Sequence, residues 1–276
     1  MVAYKQEDIV KVHVHTFTPG EVLARLQRYG EFLTVKIENM SLGHSDAAPA
    51  PAPAKKKLFS VVTVASGEGM IALLGEMGAD QIIPGGQSFN PAAEDFVAAF
   101  ERCNSDHIIV LPNNKNVVMA AKQAAELYEG AEIHVIETKN MMQGFSALSV
   151  ITPGITDMEM LIASAVRAAE EVTDCEVTAA VRDAHVGGFD IKSGDFMAIS
   201  GGRIVAVKPT AEEALLEMLA GADADLCEII TVFVGKAVTE ERRAALTEAL
   251  EETYGDCEIT FYEGGQDIYD YYLALE

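Results

Sequence analysis

Three short apolar runs, Phe59 to Ala65, Gln81 to Ile83 and His107 to Leu111, stand in the middle of the chain. Each is followed by a glycine-, asparagine- or proline-rich loop and then by sequence of helical period. That alternation predicts a parallel α/β sheet, because parallel neighbours need a crossover between them and a helix usually supplies it. A fourth strand is expected at Glu132 to Glu137. The intervening helices are expected from Gly69 to Met77, stopped by Gly78; from Asn90 as N-cap with Pro91 first in the helix and Glu94 and Asp95 on its positive end; and from Asn116 to Tyr128, closed by Gly130. Loops at the carboxyl ends of such strands lie along one edge. Ser66-Gly67-Glu68-Gly69, Gly85-Gly86-Gln87-Ser88-Phe89-Asn90, Pro112-Asn113-Asn114-Lys115-Asn116 and Thr138 to Phe145, which includes Gln143, should therefore converge where open α/β sheets bind their ligands.

The flanking sequence reads differently. Residues 1–44 suggest a small ββαβ module: strands at Val2 to Tyr4 and Ile9 to Thr16, a helix opened by Thr18 and Pro19 with Val22, Leu23, Leu26 and Tyr29 as its stripe, and a strand at Phe32 to Ile37. Such a piece is too short to be comfortable alone, so it belongs to a larger domain or packs on a second copy. Residues 45–57, SDAAPAPAPAKKK, read as an extended, solvated linker. Residues 58–152 form the first α/β lobe. Residues 153–276 form a second with a mixed sheet: a helix capped by Thr156-Asp157 and running to Glu171, a strand at Glu176 to Arg182, a hairpin turning at Gly201-Gly202, then a helix at Ala211 to Ala220, a strand at Glu228 to Val234, a helix at Glu240 to Tyr254 and a strand at Glu258 to Tyr262. The closing tyrosines, Tyr262, Tyr269, Tyr271 and Tyr272, read as a half-buried packing face.

Composition narrows the partners. With 276 residues, 49% apolar content and a formal net charge of -23, the chain can bury a large core and opposes binding to nucleic acid or an anionic membrane surface. Cys103, Cys175, Cys227 and Cys257 are widely spaced, as buried thiols of a reducing compartment would be. No apolar run is long enough to span a bilayer and no secretory leader is evident, so a soluble, cytoplasmic protein is expected.

The candidate chemistry is that of recognition. Gly67-Glu68-Gly69 offers a tight turn and helix-entry amides, Gly85-Gly86-Gln87-Ser88 with Asn90 offers amides and a hydroxyl, and Asn113-Asn114-Lys115 adds a cation to an acidic chain. Each alone reads equally as turn chemistry; together they suggest an anion-compatible or partner-binding surface. His13 and His15, at i and i+2 on a strand, either share one cation or form a solvent-facing pair. Asp183, His185 and Asp190 in RDAHVGGFD are separated by flexible glycines, which gives a hydrolase site there little support. Gly264-Gly265-Gln266 echoes Gly85-Gly86-Gln87.

The phrases VASGEG, DQIIPGGQSFNPAAEDF, LPNNKNV and YEGGQDIYDYYLALE resemble the C-terminal region of the fatty acid kinase A family, which is dihydroxyacetone-kinase-like and DegV-associated. KVHVHTFTPGEVLARLQRYGEFLTVKIENM resembles the end of that family's middle domain. The resemblance implies a nucleotide-binding kinase domain, a dimerising middle domain and a C-terminal domain with a two-lobed DegV/dihydroxyacetone-kinase-like fold that engages a fatty-acid-carrying partner. The kinase domain's DGDTG-type, Mg-binding motif occurs nowhere in these residues. ATP and Mg are thus expected only with a kinase domain outside this chain, and the chain itself is expected to hold no cofactor. The family's middle-domain zinc site would use His13 and His15 with a cysteine that would precede Met1. Two functions follow: a non-catalytic binding and regulatory region that meets a DegV-like fatty-acid-binding protein, with a homodimer through the N-terminal module; or an independent small-molecule or lipid-binding protein using the same crevice.

Overall fold

The computed structural model describes residues 2–6, 9–13, 18–32, 56–86, 89–152, 154–222, 224 and 227–276. The chain divides into two compact units, Met1–Pro53 and Ala54–Glu276. In the first, strands β1 (Val2–Gln6) and β2 (Ile9–His13) pair antiparallel, with Val2 opposite His13 and Gln6 opposite Ile9. Helix α1 (Pro19–Leu26) follows and tightens into a 3-10 turn at Gln27–Tyr29. Proline at its first position fits, since the missing amide would have no helical acceptor there. Thr18 Oγ1 donates to the Glu21 carboxylate at 3.2 Å instead of capping a backbone amide. The strand expected at Phe32 to Ile37 lies, apart from Phe32, outside the described residues, as do residues 45–55 of the expected linker.

The second unit opens with the predicted parallel sheet. Its elements are β3 (Lys57–Ala65), α2 (Glu68–Glu76), β4 (Gln81–Pro84), α3 (Ala93–Phe100), β5 (Ser105–Leu111), α4 (Val118–Leu127), β6 (Glu132–Val135) and α5 (Met141–Ser149). The strand order is β4-β3-β5-β6, all parallel. The chain steps from β3 to β4 on one side and then crosses to β5 on the other, so the topological switch point lies between β3 and β5. Several boundaries shift by one to three residues from expectation, and two of the shifts change a residue's role. Lys57, read as the last linker residue, already belongs to β3, where its amide donates to the Asn104 carbonyl. Helix α3 starts at Ala93, three residues beyond the Asn90 cap, with the Asp95 carboxylate accepting the Ala92 amide at 2.8 Å.

The remaining elements are α6 (Met158–Glu171), β7 (Thr173–Ala179), β8 (Ala184–Val186), β9 (Phe189–Ile191), β10 (Phe196–Ser200), β11 (Arg203–Lys208), α7 (Ala211–Gly221), β12 (Ile229–Val234), α8 (Glu240–Thr253), β13 (Glu258–Glu263) and β14 (Tyr269–Leu275). Six of the strands form a mixed sheet in the order β11-β10-β7-β14-β12-β13, with only β12 and β13 parallel. The hairpin at Gly201-Gly202 is present, both residues in the left-handed region that its tight turn demands. The closing tyrosines pack more deeply than a half-buried face: Tyr262 is half-buried on β13, but β14 lies inside the sheet between β7 and β12, and its Tyr269, Tyr271 and Tyr272 are all buried. RDAHVGGFD forms the separate β8–β9 hairpin, on which exposed His185 meets Asp190 at 2.8 Å.

Strand alternation sorts the core into layers. Val62, Val64, Ile108 and Val110 face α3 and α4 on one side of the parallel sheet. Val61, Ala65, Ile109 and Leu111 face the other way, into a core shared with α2, α5, α6 and, from the mixed sheet, Phe233, Tyr269, Tyr272 and Ala274. Beyond it, Val177, Val232, Tyr271 and Leu273 pack under α7 and α8. The unit is therefore helix, sheet, helix, sheet, helix. The carboxyl edge of the first sheet comes up against the inner face of the second.

Candidate functional site

At the switch point the chain leaves β5 through Asn113, the one non-glycine residue with positive φ (55°) among the described residues. Asparagine tolerates that backbone better than most side chains. Asn113 is buried, and its amide satisfies itself on neighbouring strand ends: Nδ2 donates to Thr63 Oγ1 at 2.8 Å and to the Val64 carbonyl at 2.9 Å, while Oδ1 accepts from Thr138 Oγ1 at 2.8 Å. The Asn113 backbone amide returns to Thr138 Oγ1 at 3.0 Å, and Thr63 passes its proton to the Leu111 carbonyl. One side chain thus ties the ends of β3 and β5 to the loop after β6. There is no room beside it: a Cβ on Gly144 would fall 1.9 Å from Asn113 Oδ1.

Asn114 does the same for the β4 loop. Its Nδ2 reaches the Gly86 carbonyl at 3.3 Å and Asn90 Oδ1 at 3.2 Å, and its Oδ1 accepts the Asn116 amide at 2.9 Å. Gly85 and Gly86 allow close approach, since added Cβ atoms would stand 2.7 Å from Val64 Cγ1 and 2.8 Å from Ser66 Oγ. The Lys115 amide donates to the Lys139 carbonyl, and Gln143 Oε1 accepts the Lys139 amide at 2.8 Å while Asn140 caps α5. Gly85, Gly86, Asn90, Asn113, Asn114, Lys115 and Gln143 are therefore brought together. Gln87 and Ser88 lie outside the described residues.

Gly67, Glu68 and Gly69 sit at this edge but carry a different role. A Cβ on Gly67 would be 2.4 Å from the Gly264 carbonyl and one on Gly69 only 1.6 Å from that of Glu263, while the Met70 amide donates to Gly264 at 3.0 Å. The turn read as an anion cradle is where the two sheets are joined, and Gly264-Gly265-Gln266 is its counterpart. Glu68 alone of the three is exposed. His13 lies at the end of β2, and His15 lies outside the described residues.

Facing the rim is a pair that sequence reasoning missed. On β7, Cys175 and Val177 enter the outer core, so Asp174 and Glu176 alternate onto the inner face toward the first sheet. Burial pushes the Glu176 carboxyl up to about 7; Asp174 adds to the rise, while the Tyr269 hydroxyl and the Lys115 cation oppose it. Asp174 is also raised, chiefly by burial and against a hydrogen bond from the Asn140 side chain. The signal was available: carboxylates at i and i+2, interleaved with Cys175 and Val177, mark one polar face of a strand.

A carboxyl raised on folding makes the native state hold its proton more tightly than the unfolded chain. Stability is then fully present below the unfolded pKa and falls as pH climbs toward the folded value. Glu176→Gln, which mimics the protonated form, should stabilise the protein by about 3 kcal/mol at pH 8 and about half that at pH 5.5. Denaturant melts at both values test this, and an equal gain at both would remove Glu176 as the cause.

The two-lobed arrangement of a parallel and a mixed sheet is the fold of the DegV proteins. DegV of Bacillus subtilis, described as a fatty acid binding protein, superposes with a TM-score of 0.56 over 79% of this chain and 99% of its own, at 16% identity. The Fatty Acid Kinase (Fak) B3 protein of Streptococcus pneumoniae, loaded with linoleic acid, gives 0.55 over the same shares at 12% identity. Residues 60–276 match the C-terminal domain of the FakA-like fatty acid kinase family, and residues 1–47 match that family's middle domain. The chain belongs to the FakA-like fatty acid kinase family. It is 37% identical to protein YloV of Bacillus subtilis and 37% identical to the uncharacterized protein SAR1202 of Staphylococcus aureus, each over all of this chain and 51% of the relative. The chain thus spans about half the length of these curated relatives. No helix among the described residues is long and apolar enough to cross a membrane.

Proposed function

We propose that this chain is a binding region of a FakA-like protein that docks a fatty-acid-carrying DegV-like protein through the polar rim around Asn90, Lys115, Asn116 and Lys139. Phosphoryl transfer to the acyl carboxylate then belongs to a kinase domain beyond these residues. The observation that carries the reading is how the space between the two sheets is used. Phe145 meets Phe233 at 5.0 Å between ring centroids, Phe233 stacks on Tyr262 at 5.6 Å, and Tyr269 meets Tyr272 at 4.7 Å, so aromatic rings fill the middle layer. Cavities of about 220 and 310 Å³ lie elsewhere, beside Asp80 and Cys103 and beside Val97 and Leu127. The rim itself exposes Asn90, Lys115, Asn116 and Lys139 on a floor braced by buried Asn113 and Asn114. Exposed lysines on a braced, polar surface suit a protein partner, where rim charges act mainly on association rate and salt dependence.

Calorimetric titration of the untagged chain with a DegV-like protein, loaded with and freed of fatty acid, tests the reading. The Lys115→Ala, Lys139→Ala double variant is expected to weaken binding about tenfold at low salt and less at high salt. Equal affinity for parent and double variant would remove the rim from the interface. Thermal stabilisation by free fatty acid with no partner protein would favour an acyl site within the chain itself.

A further inference from the structure

The amino edge of the parallel sheet carries a second group of side chains, at the opposite ends of the strands from the rim. β5 and β6 pair in parallel with His107 beside Glu132 and Ile109 beside His134. Alternation places His107 on the face of Ile109 and Leu111, and Glu132 and His134 on the face of Ile136, all three of which enter the inner core. That apolar face therefore ends, at one corner of the sheet, in two imidazoles and a carboxylate.

Their geometry is compact. His107 Nδ1 lies 3.1 Å from His134 Nε2. Glu132 places Oε2 3.4 Å from the first and Oε1 3.8 Å from the second. An ion bound at the usual zinc–imidazole length of about 2.0–2.1 Å to nitrogens so spaced would see them at roughly 100°, between the octahedral and tetrahedral angles. A ring-to-ring hydrogen bond at the same distance is the metal-free arrangement of these groups. The histidine side chains are 23% and 20% exposed and the glutamate 67%, so the rings are held by the sheet while the carboxylate side stays open to solvent. Two imidazoles and one carboxylate with an open position form the donor set of borderline divalent metals. A net charge of -23 also raises the local concentration of cations.

We propose that His107, Glu132 and His134 bind one divalent transition-metal ion of the zinc class, with water completing its coordination. The site uses neither His13 nor His15, and both sets of residues are tested together. Untagged protein stripped with chelator is titrated with zinc, and with cobalt to read the visible bands of a protein-bound ion. His107→Ala and His134→Ala should each remove one equivalent of bound metal, and Glu132→Gln should weaken binding by at least about tenfold. The His13→Ala, His15→Ala double variant should retain that equivalent. Circular dichroism confirms the fold, and His107→Asn and His134→Asn replace any alanine variant that fails to fold. Zinc stoichiometry and affinity unchanged in both histidine variants, or no zinc uptake by the folded parent protein, overturns the proposal.

Discussion

Gly69→Ala is expected to cost about 3 kcal/mol of stability and lower the melting temperature by roughly 5–10 °C, although it adds a single methyl group. The methyl would sit 1.6 Å from the Glu263 carbonyl oxygen and 2.6 Å from its carbon. Both sides of that contact are backbone, so neither can step aside as the end of a flexible side chain could. Relief requires α2 to move away from the end of β13, which also breaks the 3.0 Å bond from the Met70 amide to Gly264. Gly75→Ala, on the same helix, is the control. Its Cβ would meet nothing nearer than Ile82 Cδ1 at 3.9 Å, so the usual helical advantage of alanine over glycine should stabilise it by about 0.5–1 kcal/mol. Denaturant melts of the two variants should diverge in opposite directions. If Gly69→Ala melts with the parent, the joint between the sheets is looser than its geometry states.

The contrast between Gly69 and Gly75 also shows what sequence could and could not tell. The strands from Phe59 to Val135 and the helices between them were legible because apolar runs, glycine-rich loops and helical period all agree there. So was the convergence of the Gly86 and Asn114 loops, which follows from parallel strands having one carboxyl edge. Helix α5 was not, since Thr138 to Phe145 reads as a loop and Asn140 in fact caps a helix from Met141 to Ser149. What a turn touches is not local information, and Gly67-Glu68-Gly69 looks the same whether it faces an anion or the Glu263 carbonyl. Asn90 looks like a cap because Pro91 follows it, but its side chain is engaged by Asn114, twenty-four residues on. β14 was missed for another reason. It is buried on both faces, so YDYYLAL lacks the polar alternation of a half-exposed strand, and Tyr271 and Tyr272 look alike while entering different cores. Expecting β7 to begin at Glu176 when it begins at Thr173 left Asp174 off the strand and hid the carboxylate pair.

Asn113→Ala should be the most damaging single change at the rim, at about 3–5 kcal/mol. Three losses add. Thr63 Oγ1, the Val64 carbonyl and Thr138 Oγ1 each lose one hydrogen bond in a region where Thr63 and Thr138 are wholly buried. The two hydroxyls keep only the Leu111 carbonyl and the residue-113 amide, and each lost buried bond costs about 1 kcal/mol or more. Alanine is also less at ease than asparagine at a φ of 55°. Gly144, kept bare for the Asn113 amide, would then border a void. Asn113→Gly separates the terms, because it relieves the backbone but restores no hydrogen bond, and it should recover only about 1 kcal/mol. Asn113→Asp keeps the shape yet turns a donor toward the Val64 carbonyl into a carboxylate oxygen. It should therefore be unstable at neutral pH and recover as the pH falls and the acid regains a proton to donate. Hydrogen exchange should localise the damage to the ends of β3 and β5 and the loop after β6 before the mixed sheet is affected. An alanine variant within 1 kcal/mol of the parent would mean that the loops hold their places without this side chain, and that the rim is set by the sheet alone.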